Sequence, residues 1–189
     1  MDYTLIAISY LLGSIPFGLV LGKLLGGKDV REAGSGNIGA TNVTRLLGKK
    51  LGALTLILDA AKGASAVVIA SHFTENSDII LICAAASVLG HIFPIWLKFK
   101  GGKGVATTLA VLLALYWPAG IFFISIWIIT FLFARISAVS AIAAMIFTPA
   151  FLFFMKDEVG INMVYLSVFL SILVVAKHHS NIRKLLGKQ

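Results

Sequence analysis

Three polar segments of this sequence carry side chains suited to binding phosphate. The first runs Gly34-Ser35-Gly36-Asn37-Ile38-Gly39-Ala40-Thr41-Asn42 and continues through Val43 and Thr44 to Arg45. Closely spaced glycines let backbone N–H groups converge on an anion. Ser35, Asn37, Thr41 and Asn42 add neutral hydrogen-bonding groups, and Arg45 supplies a fixed charge. The spacing also matches GxGxxG, but a long apolar stretch and a charged one precede it, not a strand of a βαβ unit, which argues against dinucleotide binding. A polar loop that uses Gly and Asn only for turns is the competing reading.

The second segment is Gly90-His91-Ile92-Phe93-Pro94, followed by Lys98-Phe99-Lys100-Gly101-Gly102-Lys103-Gly104-Val105-Ala106-Thr107-Thr108. It is not a Walker A loop, because Gly104 stands where Ser or Thr would follow the lysine. Glycines on either side of Lys103 still let its charge approach a bound anion, with Thr107 and Thr108 opening the next helix. Anchoring of a span at lipid headgroups by Lys98, Lys100 and Lys103 is the alternative. The third segment is Lys177-His178-His179-Ser180-Asn181-Ile182-Arg183-Lys184-Leu185. Here a neutral His can accept a proton or bind phosphate, and Arg183 can fork onto phosphate oxygens. Two adjacent histidines need not face the same way.

The elements that must position these segments are apolar. Of 189 residues, 59% are hydrophobic and 13% charged, against about 25% charged in a soluble domain. This composition is that of an integral membrane protein. Apolar stretches cover 3–25, 51–72, 79–97, 105–116, 118–134, 136–155 and 160–176, predicting an all-α polytopic bundle of about seven transmembrane helices. The stretch 105–116 is the short one, covering about 18 Å of a roughly 30 Å hydrocarbon core. Tyr116, Trp117 and Pro118 suit a tight turn at a membrane interface. The first stretch is too long for a signal peptide's apolar region and lacks a basic segment before it, so it is read as the first span.

If all seven cross, one face collects Lys23, Lys28, Arg31, Arg45, Lys49, Lys50, Lys98, Lys100, Lys103, Arg135, Lys177, Arg183, Lys184 and Lys188, together with all three polar segments. The opposite face holds Asp2, Glu75, Asp78, Asp157 and Glu158, with Lys156 its only base. The positive-inside rule then makes the first face cytoplasmic, with the N-terminus outside and the C-terminus inside. The net charge of +8 is interleaved with spans, which argues against a nucleic-acid partner. Cys83 is the sole cysteine, so no internal disulfide forms. Asp29, Glu32 and Asp59 are too few for a metal cage. Asp59 and Lys62 stand at i and i+3 within a span and can pair there, with a structural or a functional role equally open. His72 lies near the opposite face and suits a structural role.

Together the three segments resemble the bacterial acyl-phosphate:glycerol-3-phosphate acyltransferase family. The matching pieces are SGNIGATN from Ser35, GHIFP from Gly90 joined to FKGGKGVAT from Phe99, and KHHSNIRKL from Lys177, in the family's order over most of the chain. At the end, Gly187-Lys188-Gln189 lacks the Glu that often closes the family's tail motif. The resemblance implies a single integral membrane acyltransferase domain over 1–189 in the bacterial cytoplasmic (inner) membrane, with its site on the cytoplasmic face. It implies transfer of a fatty acyl group from acyl phosphate to the 1-hydroxyl of glycerol 3-phosphate, giving lysophosphatidic acid and inorganic phosphate, the first acylation of phospholipid synthesis. It also implies a soluble enzyme that makes acyl phosphate from acyl carrier protein.

Carried over by position, the catalytic residues are Ser35, Lys103, His178 and Asn181. The substrate-binding residues are Gly36, Asn37, Gly39, Thr41, Asn42, Arg45, His91, Gly101, Gly102, Gly104, Thr107 and Arg183, with Ser140, or Ser137 beside it, from the sixth span. No metal or cofactor is expected. The residues agree with this chemistry: there is no GxSxG elbow, and none of the four histidines has an Asp five positions on, so a covalent acyl-enzyme is not expected. The rival reading is a transporter or channel for a phosphorylated small solute. The absence of an internal repeat and the gathering of the polar segments on one face weigh against it.

Overall fold

The computed structural model describes residues 1–187; Lys188 and Gln189 lie outside the described residues. All regular structure among the described residues is helical. Each of the seven expected apolar stretches carries a helix. The chain forms two compact units, Met1–Val111 and Leu112–Gln189.

In the first unit, α1 (Asp2–Gly13) and α2 (Phe17–Gly26) replace what hydropathy alone predicts as one unbroken span. Pro16 is the cause. Lacking an N–H, it cannot continue the ladder; the Leu19 N–H bonds the Pro16 carbonyl, and the Ile15 carbonyl accepts from the Phe17 N–H at 3.1 Å and Lys62 Nζ at 2.7 Å. Helix α3 (Ala40–Leu47) is short and two-faced. Asn42 and Val43 point inward, while Thr41, Thr44 and Arg45 are exposed. A 25-residue span, α4 (Lys49–Phe73), follows, then α5 (Ser77–Ile92), whose start is capped by the Asn76 side chain accepting from the Asp78 and Ile79 N–H groups. A short 3-10 helix, Ile95–Leu97, leads into the second polar segment. Helix α1 packs on α5 and α4. Gly13 and Gly90 permit the close α1–α5 crossing, since a Cβ at either would strike the backbone carbonyl of the other helix, at Ser87 or Tyr10. Away from the polar segments, Leu5, Ala70 and Cys83 form a buried apolar cluster joining α1, α4 and α5.

Helix α6 (Val105–Leu115), only 11 residues long, runs across the boundary of the two units. The second unit contains α7 (Trp117–Ala134), with Pro118 in its first turn as the Tyr116 turn predicts. It continues through α8 (Ser137–Phe154), the single turn α9 (Lys156–Val159), α10 (Ile161–Lys177) and α11 (His179–Leu185). Helix α8 packs against α7 and α10. By length and composition five segments can cross a membrane: Asp2–Gly26, α4, Ser77–Leu97, α7 and α8. The pair α10 and α11, bent by 56°, makes a sixth.

Candidate functional site

The first polar segment is organised from within by Asn42. Its Nδ2 donates to the carbonyls of Val30, Ala33 and Asn37 at 2.8, 3.2 and 2.9 Å, and its Oδ1 accepts from the Ser35 N–H at 2.9 Å. Expected among the substrate-binding groups, Asn42 is instead 2% exposed and its amide is taken up by the loop that carries the others. Gly34 has a left-handed φ of 65°, and a Cβ there would overlap Asn42 Oδ1, so this turn requires glycine. Asn37 Oδ1 accepts from the Gly39 N–H at 2.8 Å, shaping the entry to α3. Beneath the loop, Leu19, Val30, Ile38 and Val43 form a buried cluster. Ser35, Gly36, Thr41 and Arg45 are left exposed. Thr41 and Arg45, four apart on α3, share one helix face.

An ion-pair group fastens the start of this loop. Asp29 accepts from Arg31 Nη2 at 2.6 Å, Arg31 Nε at 2.9 Å and the Arg31 backbone N–H at 3.0 Å, with Lys23 Nζ 3.3 Å away. The Arg31 side chain, aided by its backbone N–H and Lys23, holds the Asp29 carboxyl well below the usual carboxylate range against the opposing effect of partial burial.

The second segment doubles back along the end of α5. The Gly101 N–H donates to the Ile92 carbonyl at 3.1 Å and the Gly102 N–H to the His91 carbonyl at 3.0 Å. Lys98 and Phe99 turn the chain with left-handed φ values of 50° and 61°, an uncommon pair for residues with a Cβ. The Phe99 N–H donates to Pro94 O and the Lys100 N–H to Leu97 O, each at 3.0 Å. Lys103 emerges half-buried ahead of α6. Leu97 packs on the cluster under the first loop, so the two glycine-rich segments share one apolar floor.

Two expected binding residues of the second segment face inward. His91 is 4% exposed, its Nδ1 3.5 Å from Asp59 Oδ1. Thr107 is fully buried, its Oγ1 donating to the Asp59 carbonyl at 3.1 Å. Asp59 Oδ1 also meets Lys62 Nζ at 2.9 Å. The spacing of Asp59 and Lys62 is readable in the sequence. Their convergence with His91 is not, because it depends on how α4 and α5 pack.

In the second unit, His178 sits at the bend between α10 and α11, 3% exposed, with Nδ1 2.8 Å from the Val174 carbonyl. A carbonyl only accepts, so Nδ1 carries the hydrogen and Nε2 is the basic nitrogen of the neutral ring. His179 is exposed, with Nδ1 3.2 Å from the Ala176 carbonyl, so the two histidines do face different ways. Asn181 is half-buried and Arg183 exposed on α11. Ser140 is fully buried one turn into α8, its Oγ donating to the Ile136 carbonyl at 3.2 Å, and Ser137 is half-buried.

The described residues contain no cluster of His, Cys, Asp and Glu able to hold a metal. The family model for glycerol-3-phosphate acyltransferase matches residues 3–188. The chain belongs to this family. A glycerol-3-phosphate acyltransferase of Bartonella henselae is 52% identical over 186 residues, covering 96% of this chain and 87% of that protein. The crystal structure of PlsY (YgiH), an integral membrane glycerol 3-phosphate acyltransferase, in its glycerol 3-phosphate form superposes with a TM-score of 0.91 at 41% identity, over 100% of this chain and 94% of that one. Its lysophosphatidic acid form gives 0.90 at 40%, over 100% and 93%. The glycerol-3-phosphate acyltransferase expected from the three polar segments is thereby identified, in a multi-pass membrane protein.

Proposed function

We propose that this chain acts as one domain that transfers a fatty acyl group from acyl phosphate to the 1-hydroxyl of glycerol 3-phosphate, releasing lysophosphatidic acid and inorganic phosphate. The observation that carries the reading is the pair of glycine-rich loops on a shared apolar floor, with Ser35, Thr41, Arg45 and Lys103 borne on them. Two phosphate groups bring about −3 to −4 of charge into one site, and cations with oriented backbone donors answer that charge.

In this mechanism the acceptor hydroxyl attacks the acyl carbon of the mixed anhydride directly. The new ester C–O bond forms, the acyl C–O bond to phosphate breaks, and the hydroxyl proton passes to the departing phosphate or to Nε2 of His178. Ser35 and Asn181 orient substrate, and Lys103 stabilises charge that grows on the acyl oxygen and the leaving phosphate. Gly36, Asn37, Gly39, Arg45, Gly101, Gly102, Gly104 and Arg183 bind the phosphates, and the resemblance adds Ser140 to the substrate-binding residues. Asn42, His91 and Thr107 contribute from behind, by holding the backbone that bears these groups.

We place the protein in the bacterial inner membrane with seven crossings, the short helix α6 supplying the one beyond the six long enough by themselves, N-terminus outside, C-terminus and site cytoplasmic, using acyl phosphate made by a soluble enzyme from acyl carrier protein. Purified protein given palmitoyl phosphate and glycerol 3-phosphate, with no metal and no acyl-CoA, forms lysophosphatidic acid and phosphate in equal amounts. No product from folded protein, or product only with acyl-CoA, sinks this donor assignment.

A further inference from the structure

Asp59 and Lys62 are charged groups buried in the middle of a membrane span, at 3% and 4% exposure, and the chemistry above uses neither. Lys62 Nζ reaches two ways. It meets Asp59 Oδ1 at 2.9 Å and donates to Ile15 O, at the break between α1 and α2, at 2.7 Å. Asp59 faces the other direction as well: His91 Nδ1 lies 3.5 Å from its carboxylate, and the Thr107 hydroxyl donates to its backbone carbonyl. The His91 ring in turn lies directly under Gly102, where a Cβ would overlap the ring at Nε2, and the His91 carbonyl accepts from the Gly102 N–H at 3.0 Å. A row of polar groups in close approach therefore runs from the kink of the first span through α4 and the end of α5 to the residue preceding Lys103.

We propose that Asp59, Lys62 and His91 are positioning residues that set the height and orientation of the Gly102–Lys103 segment, and so act on catalysis through Lys103 without touching substrate. The proposal rests on the role given to Lys103 above. Buried ion pairs contribute little net stability compared with apolar side chains of like volume, yet are expensive to break. Their presence in a span is explained when they define a geometry that apolar packing leaves loose. Gly102 is the point of transmission, because only a residue without a side chain lets the backbone rest on the imidazole.

A double-mutant cycle with purified enzyme tests this. His91→Asn lowers kcat about 10- to 100-fold, as a displaced catalytic group does, while KM for glycerol 3-phosphate changes less than about threefold. Asp59→Asn combined with Lys62→Met, which removes both charges and leaves the net charge of the pair unchanged, gives a loss of the same kind. In a Lys103→Ala background either change costs less than about twofold further. Hydrogen exchange at the Gly101 and Gly102 amides also rises in His91→Asn, a readout independent of turnover. Losses that multiply with and without Lys103 reveal general structural damage and overturn the proposal, as does unaltered exchange in the loop. A Lys103→Ala variant that keeps the wild-type kcat overturns both this inference and the role assigned to Lys103, whereas losses that multiply on a Lys103→Ala variant of reduced but measurable kcat remove the inference alone.

Discussion

The two glycine-rich loops of the first unit solve the same problem by different means. The first is held at its own level by a neutral side chain from the next helix, Asn42, which bridges three carbonyls and one N–H of the loop backbone. The second rests on His91, whose ring lies beside the Asp59–Lys62 ion pair inside the span. A neutral amide can be buried at little penalty once all its groups are bonded. An ion pair remains costly to bury however well it is bonded. The first loop is thus a self-contained turn, and the second depends on the alignment of three helices.

Unbalancing the ionic support beneath the second loop has the largest effect. Lys62→Met alone strands the Asp59 carboxylate in the span and destabilises the protein by about 3–5 kcal/mol, most of which returns when Asp59→Asn is added. Thermal unfolding in detergent reads both. For the first loop, Asn42→Ala removes every bond of the clamp and costs about 2–3 kcal/mol. No second substitution at an ionisable site rescues it, since no charge is left behind, and a rescue would show the two loops to be held alike. Gly102→Ala drives a Cβ into the His91 ring and costs about 1–3 kcal/mol, with a fall in kcat of the same order as that of His91→Asn.

The smallest effect is expected at the loop's margin, where the Asp29–Arg31 pair is solvent-facing on its arginine side. The carboxyl of Asp29 is held below its ordinary range, so its contribution is present above the unfolded-state value of about 3.9 and is lost as pH falls toward its lower folded value. Asp29→Asn therefore weakens the protein slightly at neutral pH and flattens its acid unfolding profile in that lower range. An unchanged profile would show that Asp29 adds nothing.

The spans and the loops were readable from the sequence for different reasons. Sustained apolar runs identify helices 51–72 or 118–134 without regard to partners, and Gly, Ser, Asn and Lys in short segments declare a phosphate-binding character by residue type. Direction was not readable. Asn42 and Arg45 stand three apart on one short helix, and only the docking of Val43 into the cluster of Leu19, Val30 and Ile38, with Asn42 bonded to the loop carbonyls, decides that the first is buried and the second exposed. Pro16 could be read as a breaker, yet the apolar run continues through it, and the Lys62 side chain that completes the break comes from another helix. Likewise, Asp59 and Lys62 were legible as a local pair, whereas His91 joins them only in three dimensions. The tail motif is recognisable in the sequence, but the 56° bend that sets α11 apart from α10 is not, nor is the turn of the His178 ring onto the Val174 carbonyl one turn back.

Leu97 has a consequence for how this enzyme can be recombined with its relatives. Its side chain belongs by sequence to the segment bearing Lys103 but packs against the cluster of Leu19, Val30, Ile38 and Val43. A chimera that exchanges residues 28–48 for those of a relative thus inherits a socket shaped for a different plug. Segments 28–48 and 94–104 form a single unit of exchange, to be grafted together or left in place together.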